Sequence, residues 1–263
     1  MPTVRRGDRC IHYVHAGDGP GLVLVPGIGS GARLFGTLPR RFARAGFSCV
    51  AIDPVGLPPS TALAGPYAFA DAAQDVLAVA ALLPAPVTLV GTSLGGKVAL
   101  LAAVERPELV QRLVLLCSSA VASARAQRLH RWFELLATAV PGELLGELVV
   151  PFLFGATFLG RQPNVVSDIV AALKPTPESR VLMASQARAL QTFDGEALLP
   201  HCTTDTLCLA GAEDLLTPAA EVLATQQRLQ QGRFQLIEHA GHSLLLESAA
   251  AYEQVVAHAR AIR

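Results

Sequence analysis

Short apolar runs bounded by glycine, proline or aspartate recur along the chain, at 10–15, 21–25, 49–52, 87–90, 113–117, 206–210 and 233–237. Each is shorter than an ordinary helix and rich in Val, Leu or Ile, so each predicts a strand buried on both faces. Between them, over 33–45, 70–83, 94–105, 218–229 and 248–262, apolar residues recur at the three- and four-residue spacing of a helix. Strand followed by helix, repeated, predicts right-handed crossovers and an α/β fold on a mostly parallel, doubly wound sheet.

One interval breaks the alternation. From 121 to 200 no run reads as a buried strand, whereas 125–140 and 178–192 have helical spacing. An unstructured loop of that length is foreign to a compact domain, so the interval predicts an inserted helical unit. The chain then divides into a core, 1–120 and 201–263, and a helical insert, 121–200. The most membrane-like stretch, 76–90, is shorter than the roughly 18–20 residues of a span and contains Pro84 and Pro86. It reads as a helix end, a turn and a strand.

Composition narrows the class. Of the 263 residues 51% are hydrophobic and 16% charged, enough burial to offset the entropy of ordering, which excludes a disordered chain. Lys and Arg number 21, as do Asp and Glu, so no broad basic surface faces phosphates and nucleic acid is not an expected partner. Cys10, Cys49, Cys117, Cys202 and Cys208 are odd in number, dispersed and free of metal-ligand spacing. Buried reduced thiols are expected, not a disulfide framework or a zinc site. Arg5, Arg6, Asp8 and Arg9 stand where a secretory leader needs an apolar stretch, so a cytoplasmic protein is expected.

The chemistry starts from Gly91-Thr92-Ser93-Leu94-Gly95, a G-x-S-x-G between the predicted strand 87–90 and the predicted helix 94–105. In such a turn the serine takes strained backbone angles, holds its hydroxyl above the sheet and sits at a helix N-terminus that favours negative charge. Its hydroxyl needs a general base, commonly His oriented by a carboxylate. His242 follows the strand 233–237 in His239-Ala240-Gly241-His242-Ser243, where Gly241 suits a turn that presents it; His239 is the competing histidine. The acid lies in Gly211-Ala212-Glu213-Asp214, with Asp214 favoured and Glu213 the alternative. Loops that follow parallel strands share one edge of the sheet, where Ser93, Asp214 and His242 are expected to meet.

An oxyanion hole needs two N–H donors. Leu94, directly after the serine, and Ile28, in the loop Pro26-Gly27-Ile28-Gly29-Ser30-Gly31, are the expected pair. That loop lacks the G-x-G-x-x-G of a dinucleotide site, although Asp53 closes a nearby strand and keeps that alternative open. No cofactor and no metal are expected.

With these residues the chain resembles the α/β-hydrolase superfamily over nearly its whole length. The order Ser93, Asp214, His242 is the superfamily's triad order. Pro26-Gly27-Ile28-Gly29, Asp53-Pro54-Val55-Gly56, Gly96, Ala99, Gly211-x-x-Asp214 and Gly241-His242 followed by Glu247 also match. The resemblance implies the α/β-hydrolase fold with a helical cap inserted after the sixth core strand. The length, the insert and Leu190-Gln191-Thr192-Phe193-Asp194 look most similar to 3-oxoadipate enol-lactonases and related carboxylesterases, while Pro26, Ser248 and Ala249 depart from the usual residues. Dehalogenases and epoxide hydrolases of the superfamily carry Asp at the position of Ser93, and carbon–carbon hydrolases carry Trp at that of Ser243.

What the resemblance implies is a cofactor-free serine hydrolase that cleaves a small, largely apolar carboxylic ester or lactone through an acyl-enzyme on Ser93. An acyltransferase, thioesterase or lyase using the same triad is the alternative, and a non-catalytic receptor for a small ligand is the alternative from another class. Trp132, Phe152, Phe154 and Phe158 of the insert are expected to bind substrate, beside Phe133. The segment 148–154 carries no charge, which predicts a neutral, apolar acyl group of short to medium length. A dicarboxylate would need a cation, and the candidates named for it in the insert are Arg128, Arg131, Arg161, Arg180, Arg188 and Lys174.

Overall fold

The computed structural model describes residues 2–121, 123–172 and 175–260. Its strands are β1 (Thr3–Arg6), β2 (Arg9–Ala16), β3 (Gly21–Val25), β4 (Ser48–Ile52), β5 (Val87–Thr92), β6 (Val110–Leu116), β7 (Asp205–Gly211) and β8 (Gly232–Ile237). They form one sheet in the order β1-β2-β4-β3-β5-β6-β7-β8. β2 runs antiparallel to both β1 and β4, and every pairing from β4 through β8 is parallel. This is the mostly parallel, doubly wound sheet that the alternation of strand and helix predicts, and it fits the fold that the resemblance implies.

The helices are α1 (Leu38–Arg44), α2 (Phe69–Ala80), α3 (Leu94–Glu105), α4 (Ala124–Ala139), α5 (Gly142–Leu153), α6 (Ala156–Arg161), α7 (Pro163–Ala172), α8 (Pro177–Leu190), α9 (Ala219–Gln226), α10 (Leu244–Glu247) and α11 (Ala249–Arg260). Side chains alternate across the sheet because successive strand residues face opposite ways. Val23, Val50, Leu89, Leu113 and Cys208 pack on one face with α2, α3 and α9. Leu22, Cys49, Val90, Val114 and Leu209 pack on the other with α1 and α11. Each fully buried leucine contributes about 2 kcal/mol to this two-layer core. All five cysteines are free thiols, and only Cys10 is not fully buried.

Five helices, α4 to α8, separate β6 from β7. Leu136, Ala137, Leu145, Met183 and Ala184 give them a small core of their own, against which Ile28 of the sheet's edge also packs. The helical stretches 125–140 and 178–192 correspond to α4 and α8, and α5, α6 and α7 occupy the sequence between them. Two further differences have local causes. The helix predicted over 33–45 is broken at Gly36 (φ 48°) into a 3-10 turn, Ala32–Phe35, and α1. β1 has no apolar run because it is an edge strand whose residues are at best half-buried. The predicted helix to 262 is seen as far as Arg260, and position 262 lies outside the described residues. Among the described residues no helix is long and apolar enough to cross a membrane.

Candidate active site

β5 ends at Thr92 and α3 begins at Leu94, leaving Ser93 alone in the turn with φ 55° and ψ −118°. A non-glycine residue in that region costs about 1–3 kcal/mol, so the surroundings must hold it. They do so through the Ser93 N–H, which donates to the Leu116 carbonyl at 2.9 Å, and the Ser93 carbonyl, which accepts from Ser118 Oγ at 2.7 Å. The turn is tight because α3 lies against the strands. A Cβ on Gly95 would stand 2.3 Å from the Val25 carbonyl oxygen, and one on Gly91 2.4 Å from that of Gly95.

The loops after β7 and β8 bring Asp214 and His242 together, both buried. His242 Nδ1 lies 2.8 Å from Asp214 Oδ2. The other carboxylate oxygen accepts the N–H groups of Leu216 and Thr217 at 2.8 and 2.9 Å. Burial works to raise the pKa of Asp214, but the His242 charge and hydrogen bond, with the Thr217 N–H, outweigh it and hold the carboxyl below its ordinary range. With its Nδ1–H on this carboxylate, His242 keeps Nε2 as an acceptor. Among the described residues no hydrogen bond joins His242 to Ser93 Oγ.

The competing residues lie elsewhere. Glu213 accepts from the Thr157 N–H at 2.8 Å and from its hydroxyl, which ties it to the insert, and His239 stands 3.9 Å from Glu213. Glu247 grips the histidine loop from both sides, accepting the N–H groups of Gly241 (2.8 Å) and Ser243 (2.9 Å), and also that of Gly155 in the insert (2.9 Å). Cys117 lies close enough to Asp214 and His242 to complete a three-ligand metal set. Its chemistry does not suit one, because burial pushes the thiol well above its ordinary pKa, Sγ faces the Gly241 carbonyl at 3.6 Å, and a metal needs the thiolate.

The loop after β3 carries Ile28 beside Ser93. Among the described residues the N–H groups of Ile28 and Leu94 have no hydrogen-bond partner. The loop is pinned at two points after Ile28. Gly29 N–H donates to Gln186 Oε1 of α8 at 2.8 Å, and Ala32 N–H donates to Asp53 Oδ1 at 2.8 Å. Asp53 is itself held by His12 Nδ1 at 2.6 Å, a structural employment in place of a ribose contact. Gln186 had no sequence signal, since it interrupts the apolar face of a helix whose packing partner is distant in the chain.

A cavity of about 80 Å³ opens at Ser93, with Ile28 and Leu94 on its wall. Leu129, Phe133, Leu190 and Phe193 form an apolar side, and Lys97, Ser119, Ser123, His130, Thr217 and Glu221 a polar one. Trp132, Phe152, Phe154 and Phe158 do not line it. Trp132 packs on Phe133 and Phe152 with ring centroids 5.0 and 4.9 Å apart, and Phe154 stacks on Phe158 at 5.2 Å, so these rings spend their surface on one another. Among the described residues the candidate cations of the insert do not line it either. Arg131 and Arg188 pair with Glu134, Arg180 borders a separate surface groove, Arg128 and Arg161 are exposed, and Lys174 lies outside the described residues. The cation at the cavity is Lys97, from the core.

Residues 20–249 match the family described as alpha/beta hydrolase fold. Among curated relatives, RutD of Variovorax paradoxus (strain S110), whose name assigns it carbamate hydrolysis only provisionally, is 29% identical over 93% of each chain. The pimeloyl-[acyl-carrier protein] methyl ester esterase of Nitrosomonas europaea is 29% identical over 90% of this chain and 94% of its own. The solved enol-lactonase of Burkholderia xenovorans LB400 superposes with a TM-score of 0.83 over 97% of this chain and 98% of that one, at 22% identity.

Proposed function

The chain belongs to the alpha/beta hydrolase fold family, and from that premise we propose that it is a serine hydrolase that cleaves a small carboxylic ester or lactone through an acyl-enzyme on Ser93. The observation that carries this reading is the 2.8 Å contact between His242 Nδ1 and Asp214 Oδ2 on the sheet edge that also holds the Ser93 elbow. In a receptor the buried pair would have no task that an apolar pair could not perform at lower cost.

In the proposed reaction Ser93 Oγ attacks the carbonyl carbon while His242 Nε2 takes the hydroxyl proton. Asp214 holds the imidazole in the required tautomer and stabilises the imidazolium that forms. The carbonyl oxygen becomes an oxyanion held by the N–H groups of Leu94 and Ile28. Its collapse expels the alcohol oxygen, which leaves with the proton from His242, and water then enters by the same steps to release the acid. The Ser93–His242 hydrogen bond belongs to the substrate-filled site, where catalytic contacts tighten.

The relatives' names widen the acyl bonds worth testing to carbamates. Purified protein should be assayed on matched butanoyl esters, lactones, thioesters and carbamates, with Ser93→Ala beside it. Turnover of an ester or lactone that falls about 10³-fold or more in Ser93→Ala is expected, because nucleophile and base act as a unit. Activity retained within about tenfold in that variant would overturn the reading.

A further inference from the structure

Most charged groups away from the triad are accounted for by structure. Asp75 is held by Arg6 and Arg9, Asp53 by His12, and Glu134 by Arg131 and Arg188. Lys97 is different. It lies on α3 four residues after Ser93, about 6 Å along the helix axis, and lines the same cavity. Among the described residues no carboxylate lies within 4.0 Å of Nζ, which donates to the Ser119 carbonyl and has further N–H groups to offer. Burial pulls its pKa down to about 8, against the opposing pull of Glu221, so the ammonium is the prevailing form at neutral pH.

The rest of the polar wall adds no second positive charge. His130 has a buried Nδ1 without a partner. Burial, then the Lys97 charge, hold its pKa down at about 4, against a hydrogen bond to the Leu190 backbone, so the ring is neutral. Glu221, the anion of the wall, accepts from Ser123 Oγ at 2.8 Å. A half-buried ammonium that donates to one carbonyl is costly to desolvate further, which is what an alkyl chain filling the cavity would do. Glu221 acts on Lys97 only from beyond 4.0 Å, so a substrate carboxylate supplies the contact counter-charge that Glu221 does not, and a neutral amide supplies only an acceptor.

We infer that Lys97 sets the substrate specificity of this site by pairing with a carboxylate on the ester or lactone, a short chain away from the scissile carbonyl. The short spacing follows from the single helical turn between Ser93 and Lys97, which line the same cavity. The inference rests on the serine-hydrolase reading for its reaction but not for its binding site. It also departs from the expectation of a largely apolar substrate with a neutral acyl group, which follows from the insert alone.

The test compares kcat/KM for monomethyl glutarate, methyl pentanoate and methyl 5-amino-5-oxopentanoate, which place a carboxylate, a methyl group or a carboxamide at the far end of the acyl chain. O-butanoyl glycolate against ethyl butanoate makes the same comparison on the alcohol side. Wild type should favour one carboxylate-bearing ester over its neutral partners by about tenfold or more, and Lys97→Met and Lys97→Gln should each bring that ratio close to one. Lys97→Arg should retain part of it. Calorimetry on Ser93→Ala should detect the preferred anionic ester, with binding weakened by salt and lost on adding Lys97→Met. No carboxylate preference in wild type, a carboxamide preferred to it, or a ratio unmoved in folded Lys97→Met or Lys97→Gln would each overturn the inference. If wild type turns over no ester, the hydrolase reading fails and the calorimetry still decides whether Lys97 binds the anion.

Discussion

Gln186→Leu is the substitution that most directly probes how the insert supports the chemistry. Gln186 is 1% exposed, takes the Gly29 N–H at 2.8 Å and is hydrogen bonded to the Tyr67 hydroxyl. Leucine keeps most of the volume and removes both contacts, leaving the half-buried Gly29 N–H and the buried Tyr67 hydroxyl without this partner. Each group left unpaired costs about 1–2 kcal/mol, together roughly 2–4 kcal/mol of stability. In a domain of this size that lowers Tm by roughly 5–15 °C. The kinetic effect should be smaller than outright loss of an oxyanion donor, about 10²–10³-fold, because Asp53 still holds Ala32 and the loop shifts without detaching. We expect kcat on an ester to fall roughly 10- to 100-fold with little change in KM, since the Ile28 N–H acts on charge present only in the transition state. Thermal melts and steady-state kinetics check both numbers. A kcat within about twofold of wild type beside the expected loss of Tm would show that Gln186 stabilises the fold without placing the loop, and would refute the reasoning.

Three further outcomes follow from the site. Asp214→Asn should lower kcat by about 10³–10⁴-fold through the wrong His242 tautomer, while Glu213→Gln should leave kcat close to wild type; the reverse pattern in steady-state kinetics would reassign the acid. Because the folded-state pKa of Asp214 lies below its unfolded value, its stabilisation is present above the unfolded pKa of about 3.9 and is lost as pH falls through the folded value. The gap in urea midpoint between wild type and Asp214→Asn should therefore narrow from about pH 4 downward, and a gap that stays constant or widens would contradict the assignment. Gly95→Ala would drive a Cβ to within 2.3 Å of the Val25 carbonyl, so it should cost about 3 kcal/mol or more and reduce soluble yield; a melt indistinguishable from wild type would show that α3 can lift away.

The parts legible in sequence are those whose signal is local. The apolar runs of β3 to β8 are buried on both faces, and the elbow needs small residues at fixed offsets, so both stand out without knowledge of the neighbours. Asp214 is separable from Glu213 only by where a turn points each side chain. The structure sends one to His242 and the other to Thr157. β1 has no apolar run because it is an edge strand with polar alternation, and α5 to α7 bury few side chains, those of α5 packing in the insert's own core and not in the sheet's. Trp132, Phe152, Phe154 and Phe158 look like a binding wall in composition, yet ring-on-ring packing takes them out of the cavity. Lys97 did carry a signal, as the one charge in the apolar stretch 94–104. Its meaning depends on the insert closing over it, a contact between segments far apart in the chain.

The central claim is an activated Ser93, and intact-protein mass spectrometry after exposure to a fluorophosphonate tests it most directly. One phosphonyl adduct per chain is expected, mapped by peptide digestion to the segment holding Ser93, and slowed by orders of magnitude in His242→Ala. An unmodified chain, or an adduct on another residue that persists in Ser93→Ala, would contradict the account.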